Sequence, residues 1–341
     1  MKEKDWSNYG VVALLPFLFV AIVYATEAFT RTSFFGCGRS DSNCEPIPEN
    51  IWKVLRIDAD AAQSPASDLT GNDEERKVLA LRYGGRMTWF FLVEIFLYVS
   101  IASLGIASVL IFQLVPQRRI VWAFGALTLS AVVGLFFYRH PKIHMTIFLA
   151  LFAKAITPDL PAISDITNLL NSLGNAALFS LLIASCATLL PSQDPSFDAS
   201  SPGGLEQLSK SVKSLRIILY TGTLLLVTAI LLKKSIYQWS LAYTPQDDAI
   251  ETARNFVASL LALDGGFYTL VLAAAYLPAA LVLHRRAQYL VGPSLDETAQ
   301  EGKLKEYGLN FSLKESLPHV LAIAGPLLTG PVAEFLTGSF F

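Results

Sequence analysis

The sequence predicts an all-α, polytopic membrane helical bundle of about six transmembrane helices with short re-entrant or interfacial helices, and three observations carry that prediction. Of 341 residues 53% are hydrophobic and only 16% are charged, with a mean hydropathy of +0.46; an ordinary soluble domain carries roughly a quarter charged residues. The apolar residues gather into long blocks separated by short polar stretches. Trp6, Trp89, Trp122, Tyr138, Tyr237 and Trp239 fall near the ends of those blocks, where amphipathic rings favour the membrane–water interface.

A spanning helix needs about 20 mostly apolar residues, because lipid leaves its backbone polar groups no other partners. Runs at 11–28, 88–115, 120–138, 173–190, 215–232 and 266–283 meet or approach that length. The first has a rival reading as a cleaved signal peptide, with Lys2 and Lys4 ahead of it and the small Ala25 and Ala28 near its end; its length and the flanking Glu3 and Asp5 favour a retained helix. Between the first two runs, residues 30–87 form the largest soluble segment, too poor in apolar residues to build its own core. Within it, Cys37 and Cys44 flank a flexible Gly/Ser stretch and are expected to bond in an oxidising compartment. Gly84-Gly85 reads as a hinge before the second run.

The apolar piece 145–156 is too short to span and reads as re-entrant or interfacial. Three stretches have amphipathic helical spacing: 163–173, 205–215 and 244–265. In the second, Leu205, Leu208, Val212 and Leu215 share a face, and Glu206 with Lys210 is a favourable i,i+4 pair. The third opens on Thr244-Pro245, a helix start signal, and closes on Gly265-Gly266. The C-terminal segment 318–341 carries Gly-Pro twice, at 325–326 and 330–331. Each Pro removes a backbone donor, so this segment reads as a re-entrant element or a kinked interfacial tail.

Orientation follows the Lys and Arg of the short loops. With a cytoplasmic N-terminus, Arg118-Arg119, Lys210, Lys213, Arg285 and Arg286 lie inside, while Arg139, Lys142 and Lys233-Lys234 are exceptions. The expected location is a cell membrane, most simply a bacterial inner membrane, with 30–87 outside.

Few residues point to chemistry. Glu94 lies well inside the second run, where an acid costs a few kcal/mol unless it is protonated, hydrated or paired. It is a candidate ion or proton site, or else a structural partner of Lys154. Glu334 follows the second Gly-Pro and is a third intramembrane candidate. Small residues recur every fourth position, Ala126, Ser130 and Gly134 in one run and Ala176, Ser180, Ala184 and Thr188 in another. Such rows let another helix approach closely, from within the chain or from a second copy.

Net charge is −2, which gives no basic face for nucleic acid. Two nearby Cys without a His make no metal site, no HExxH, GxSxG or phosphate loop occurs, and no cofactor or catalytic residue is expected. Arg139, His140, Lys142 and His144 form a small basic cluster that could meet head groups. The expected protein is non-enzymatic, channel-like or membrane-perturbing, with the bilayer as its surroundings and other copies of itself as partners. A scaffold or sensor subunit that needs a partner, and a small secondary transporter, are the alternatives.

Overall fold

The computed structural model describes residues 73–115, 120–139, 160–190, 202–241, 248–291, 302, 304–307, 309 and 313–338. Among the described residues there are six long helices and no strand: α1 (Asp73–Leu114), α2 (Ile120–Arg139), α3 (Leu160–Ala187), α4 (Pro202–Leu241), α5 (Asp248–Val291) and α6 (Leu313–Gly338). Four of them are long and apolar enough to cross a membrane, through Met87–Leu114, Ile166–Ala187, Gly204–Trp239 and Val257–Val291; Val121–Phe136 and Leu317–Thr329 are shorter apolar stretches. The described chain is therefore all-helical and compatible with a multi-pass membrane protein. The apolar run 11–28, the Cys37–Cys44 pair and the piece 145–156 lie outside the described residues.

The helices are longer than the apolar runs that predict them. α1 continues unbroken through Gly84-Gly85, and α5 through Gly265-Gly266 and Pro278. The expected amphipathic stretches are not separate elements: 205–215 is the first part of α4, 248–265 the first part of α5, and 163–173 lies within α3. Two of these glycines serve close approach rather than a break. A Cβ on Gly85 would come 2.9 Å from the Trp239 Cα, and one on Gly265 2.7 Å from the Pro326 carbonyl oxygen.

Packing follows chain order. α1 lies on α3 and α4, α2 on α3, α5 on α4, and α6 on both α4 and α5. The contacts also give direction. Lys233 meets Asp264 and Gly222 meets Leu272, so α4 and α5 are antiparallel. Tyr220 meets His319 while Thr223 meets Ala322, so α6 runs with α4. Trp89, expected at an interface, instead packs against Trp239 at 5.8 Å between ring centroids, and both are buried. Trp122 remains exposed.

Polar side chains in the apolar helices mostly bond back to their own turn. Ser103, Ser108, Ser130, Ser180 and Thr228 each donate to the carbonyl four residues earlier. This satisfies a hydroxyl where no water is at hand. At one end of the bundle α4 extends past the apolar run. There Leu208, Val212 and Leu215 are buried, as their spacing predicts, with Leu304 and Leu309 also in the core. Ser209 Oγ donates to the Tyr307 carbonyl at 2.8 Å and pins that short segment to α4.

Candidate functional site: a polar seam along α4, α5 and α6

The helices with the most polar contacts are the three that meet late in the chain. Asp264 and Lys233 lie just beyond the ends of the apolar runs of α5 and α4. Because these helices are antiparallel, both fall at the same level, and Lys233 Nζ reaches Asp264 Oδ2 at 2.6 Å. The side chains are only 22% and 10% exposed. Nζ also stands 5.2 Å from the centre of the Tyr268 ring, whose π face favours a cation. Tyr237, one turn on from Lys233, is buried beside them. Pairing of this kind is what permits two charges to leave water.

Further into the apolar zone, α6 carries Pro326 within its continuous helix. Proline has no N–H, so the Ala322 carbonyl loses its usual helical donor. Thr223 of α4 stands in: its Oγ1 lies 2.9 Å from the Ala322 oxygen, and also 2.9 Å from Leu219 of its own helix. The next amide, Leu327 N–H, donates to Thr269 Oγ1 of α5 at 3.2 Å. The two neighbouring helices thus bond to backbone groups beside the proline, the condition under which proline is tolerated at membrane depth. Gly265 lets the Pro326 carbonyl approach, and a Cβ on Gly325 would come 3.0 Å from Thr223 Cγ2.

Further along, the buried His319 of α6 stacks on Tyr220 of α4 and Tyr276 of α5. The centroids are 5.9 and 5.8 Å apart and the rings within 24° and 18° of parallel. Arg216 lies near enough to Tyr276 to act on it electrostatically. On the other side of α5, Ser185 Oγ of α3 donates to the Ala275 carbonyl at 2.8 Å, in the turn that Pro278 disturbs. Beside it is an apolar cavity of about 20 Å³, lined in part by Leu181, Leu219, Gly222 and Tyr276, room for roughly one water. From Lys233 to Tyr220, and from Asp264 to Tyr276, is about 20 Å at 1.5 Å per residue, so polar groups recur through most of the apolar thickness.

The residues singled out from sequence fall as follows. Glu94 lies seven positions into the apolar part of α1, on its exposed side, and does not join the seam. Lys154, Cys37 and Cys44 lie outside the described residues. Glu334 is on α6, and its position in the helix is level with Lys233 and Lys234 of the parallel α4. Ser130, Gly134, Ala176, Ser180, Ala184 and Thr188 are buried, and Ala126 is half-buried. α2 and α3 meet through these rows, since a Cβ on Gly134 would come 3.0 Å from the Ala176 Cβ. Among the described residues no group of three His, Cys, Asp or Glu could hold a metal ion.

Sequence reasoning missed Asp264, Thr223, Thr269 and His319, and placed Lys233 in a loop. A signal for the first pair was present. Lys233 follows one apolar run and Asp264 precedes the next, which in consecutive antiparallel helices is the same end. Compared with known protein families, curated proteins and solved structures, the chain matches none.

Proposed function

We propose that this chain is a non-enzymatic, channel-like multi-pass membrane protein. It acts as an oligomer, crosses the bilayer six times, through 11–28 and α1 to α5, and keeps its N-terminus in the cytoplasm. The observation that supports this reading is the polar seam: paired charges, shared hydroxyls, a proline-bearing helix and a stacked imidazole follow one three-helix assembly through an otherwise apolar bundle. Polar groups at membrane depth are costly, and where they occur they characteristically face a bundle interior or a water-filled path. In the arrangement described, Lys233 and Asp264 close one end and the His319 stack closes the inner part.

The test is flux through proteoliposomes of the full chain, read with a pH dye, with K⁺ and with a small neutral solute. We expect passage above that of empty liposomes, and a severalfold rise in Asp264→Asn and Lys233→Met, which remove the closing pair. If none of the probes passes through wild type or either variant, the reading is overturned.

A second reading has its own support. α4 is 40 residues long, roughly twice the bilayer core at 1.5 Å per residue, and its extension holds a docked segment through Ser209. A scaffold or sensor that couples the two sides of a membrane would use such a helix. Absence of any partner after gentle extraction, together with flux, would remove it.

A further inference from the structure

The two ends of the α4–α5 pair differ in what they do with their cations. At the end closed by Lys233 and Asp264, the first cation is neutralised and the second, Lys234, is buried. At the other end Arg216 and Arg286 are half-buried, whereas Lys210, Lys213 and Arg285 are exposed. On α4, Lys210, Lys213, Ile217, Tyr220 and Leu224 are all exposed, and their alternating three- and four-residue spacing puts them in one row along the helix. That row passes from ammonium groups to apolar side chains. On α5, the exposed Leu277, Leu281 and Arg285 repeat the sequence at four-residue spacing. The two rows lie on opposite sides of the helix pair, because α4 and α5 bury the faces they turn to each other.

The levels agree. Measured from Tyr220 and Tyr276, which both stack on His319, Lys213 lies about 10 Å and Arg285 about 13 Å further along, at 1.5 Å per residue. From that level to Lys233 and Asp264 is about 30 Å, the thickness of a bilayer's hydrocarbon core. Lys213 and Arg285 therefore stand one bilayer core away from the closed rim. Lys210 is occupied by Glu206 at 3.0 Å, whereas among the described residues nothing pairs with Lys213 or Arg285. Lys305, exposed on the segment pinned to α4, is a further cation at this end, with the exposed Glu306 beside it.

We propose that this end is a cationic belt that binds the head groups of anionic phospholipids in one leaflet, with Lys213 and Arg285 each taking a phosphodiester on its own face. The acyl chains lie along the aliphatic parts of the same rows. A cation near an anionic leaflet gains enough to favour the anionic lipid on the order of fivefold at each of the two sites. The belt stands whether or not the seam conducts.

The experiment is native mass spectrometry of the full chain released from nanodiscs of equimolar phosphatidylglycerol and phosphatidylcholine. Wild type should retain phosphatidylglycerol preferentially. Lys213→Gln and Arg285→Gln should each lose about fivefold of that preference, with the conservative Lys213→Arg and Arg285→Lys retaining it. Arg254→Gln, which removes an exposed cation beyond the opposite rim, should change nothing. Equal retention of the two lipids by wild type overturns the proposal, and that comparison needs no variant to fold. So does a loss in Arg254→Gln as large as in Lys213→Gln. Displacement of the lipid by millimolar glycerol 3-phosphate would mark a site for soluble anions instead, and equally overturns it.

Discussion

Lys233 and Asp264 set up a trade between desolvation and attraction. Each charge leaves most of its water, and the 2.6 Å contact with the partner, assisted by the Tyr268 ring, returns what that costs. Removing one partner leaves the other charge buried without compensation, which costs about 3 kcal/mol or more, whereas replacing both with apolar groups of similar volume is close to neutral. Lys233→Met and Asp264→Leu should therefore each lower the melting temperature in detergent by several degrees, and the double substitution should recover most of the loss. Additive losses in the double variant would mean that the two side chains do not stabilise the bundle through each other. Glu94 is the opposite case. It is exposed on the side of α1, so nothing in the described bundle offsets its charge.

At the scale of the element, what could be read from sequence was apolar content and helical spacing. Met87–Leu114, Ile166–Ala187, Gly204–Trp239 and Val257–Val291 each overlap an expected run, and Leu208, Val212 and Leu215 bury the face their spacing predicts. Element ends were less legible, because a Gly pair costs a helix only about 1 kcal/mol per residue and neighbouring helices readily override that. The pairing of elements was not legible at all: a lone Pro or Thr does not say which helix will repair the backbone it disturbs. Gly265-Gly266 separates these effects. A Cβ on Gly265 meets the Pro326 backbone at 2.7 Å, while one on Gly266 meets nothing within 4 Å. Gly265→Ala should push α6 away and lower thermal stability by about 1–3 kcal/mol; Gly266→Ala should be neutral or stabilise by up to about 1 kcal/mol. Thermal unfolding of the two variants in the same detergent checks this. Equal effects would mean that α6 does not rest on α5 at Pro326.

Across the whole molecule, the two rims differ in charge, and the charge rule turns that difference into an expected orientation. The rule retains positive charge on the cytoplasmic side; among the described residues Lys213 and Arg285 stand exposed at one rim, whereas Lys233 at the far rim is paired with Asp264 and the exposed Arg254 lies about 15 Å beyond it at 1.5 Å per residue. Asn255 on α5 lies beyond the closed rim, and Lys305 lies at the cationic end; both are exposed. With Cys37, Cys44 and Cys186 replaced, a cysteine at Asn255 should react with a membrane-impermeant maleimide in intact cells. A cysteine at Lys305 should react only after the membrane is opened. The reverse pattern would place the free cations outside, against the charge rule, and would require the masked charges of the far rim to be the ones that decide how the chain inserts.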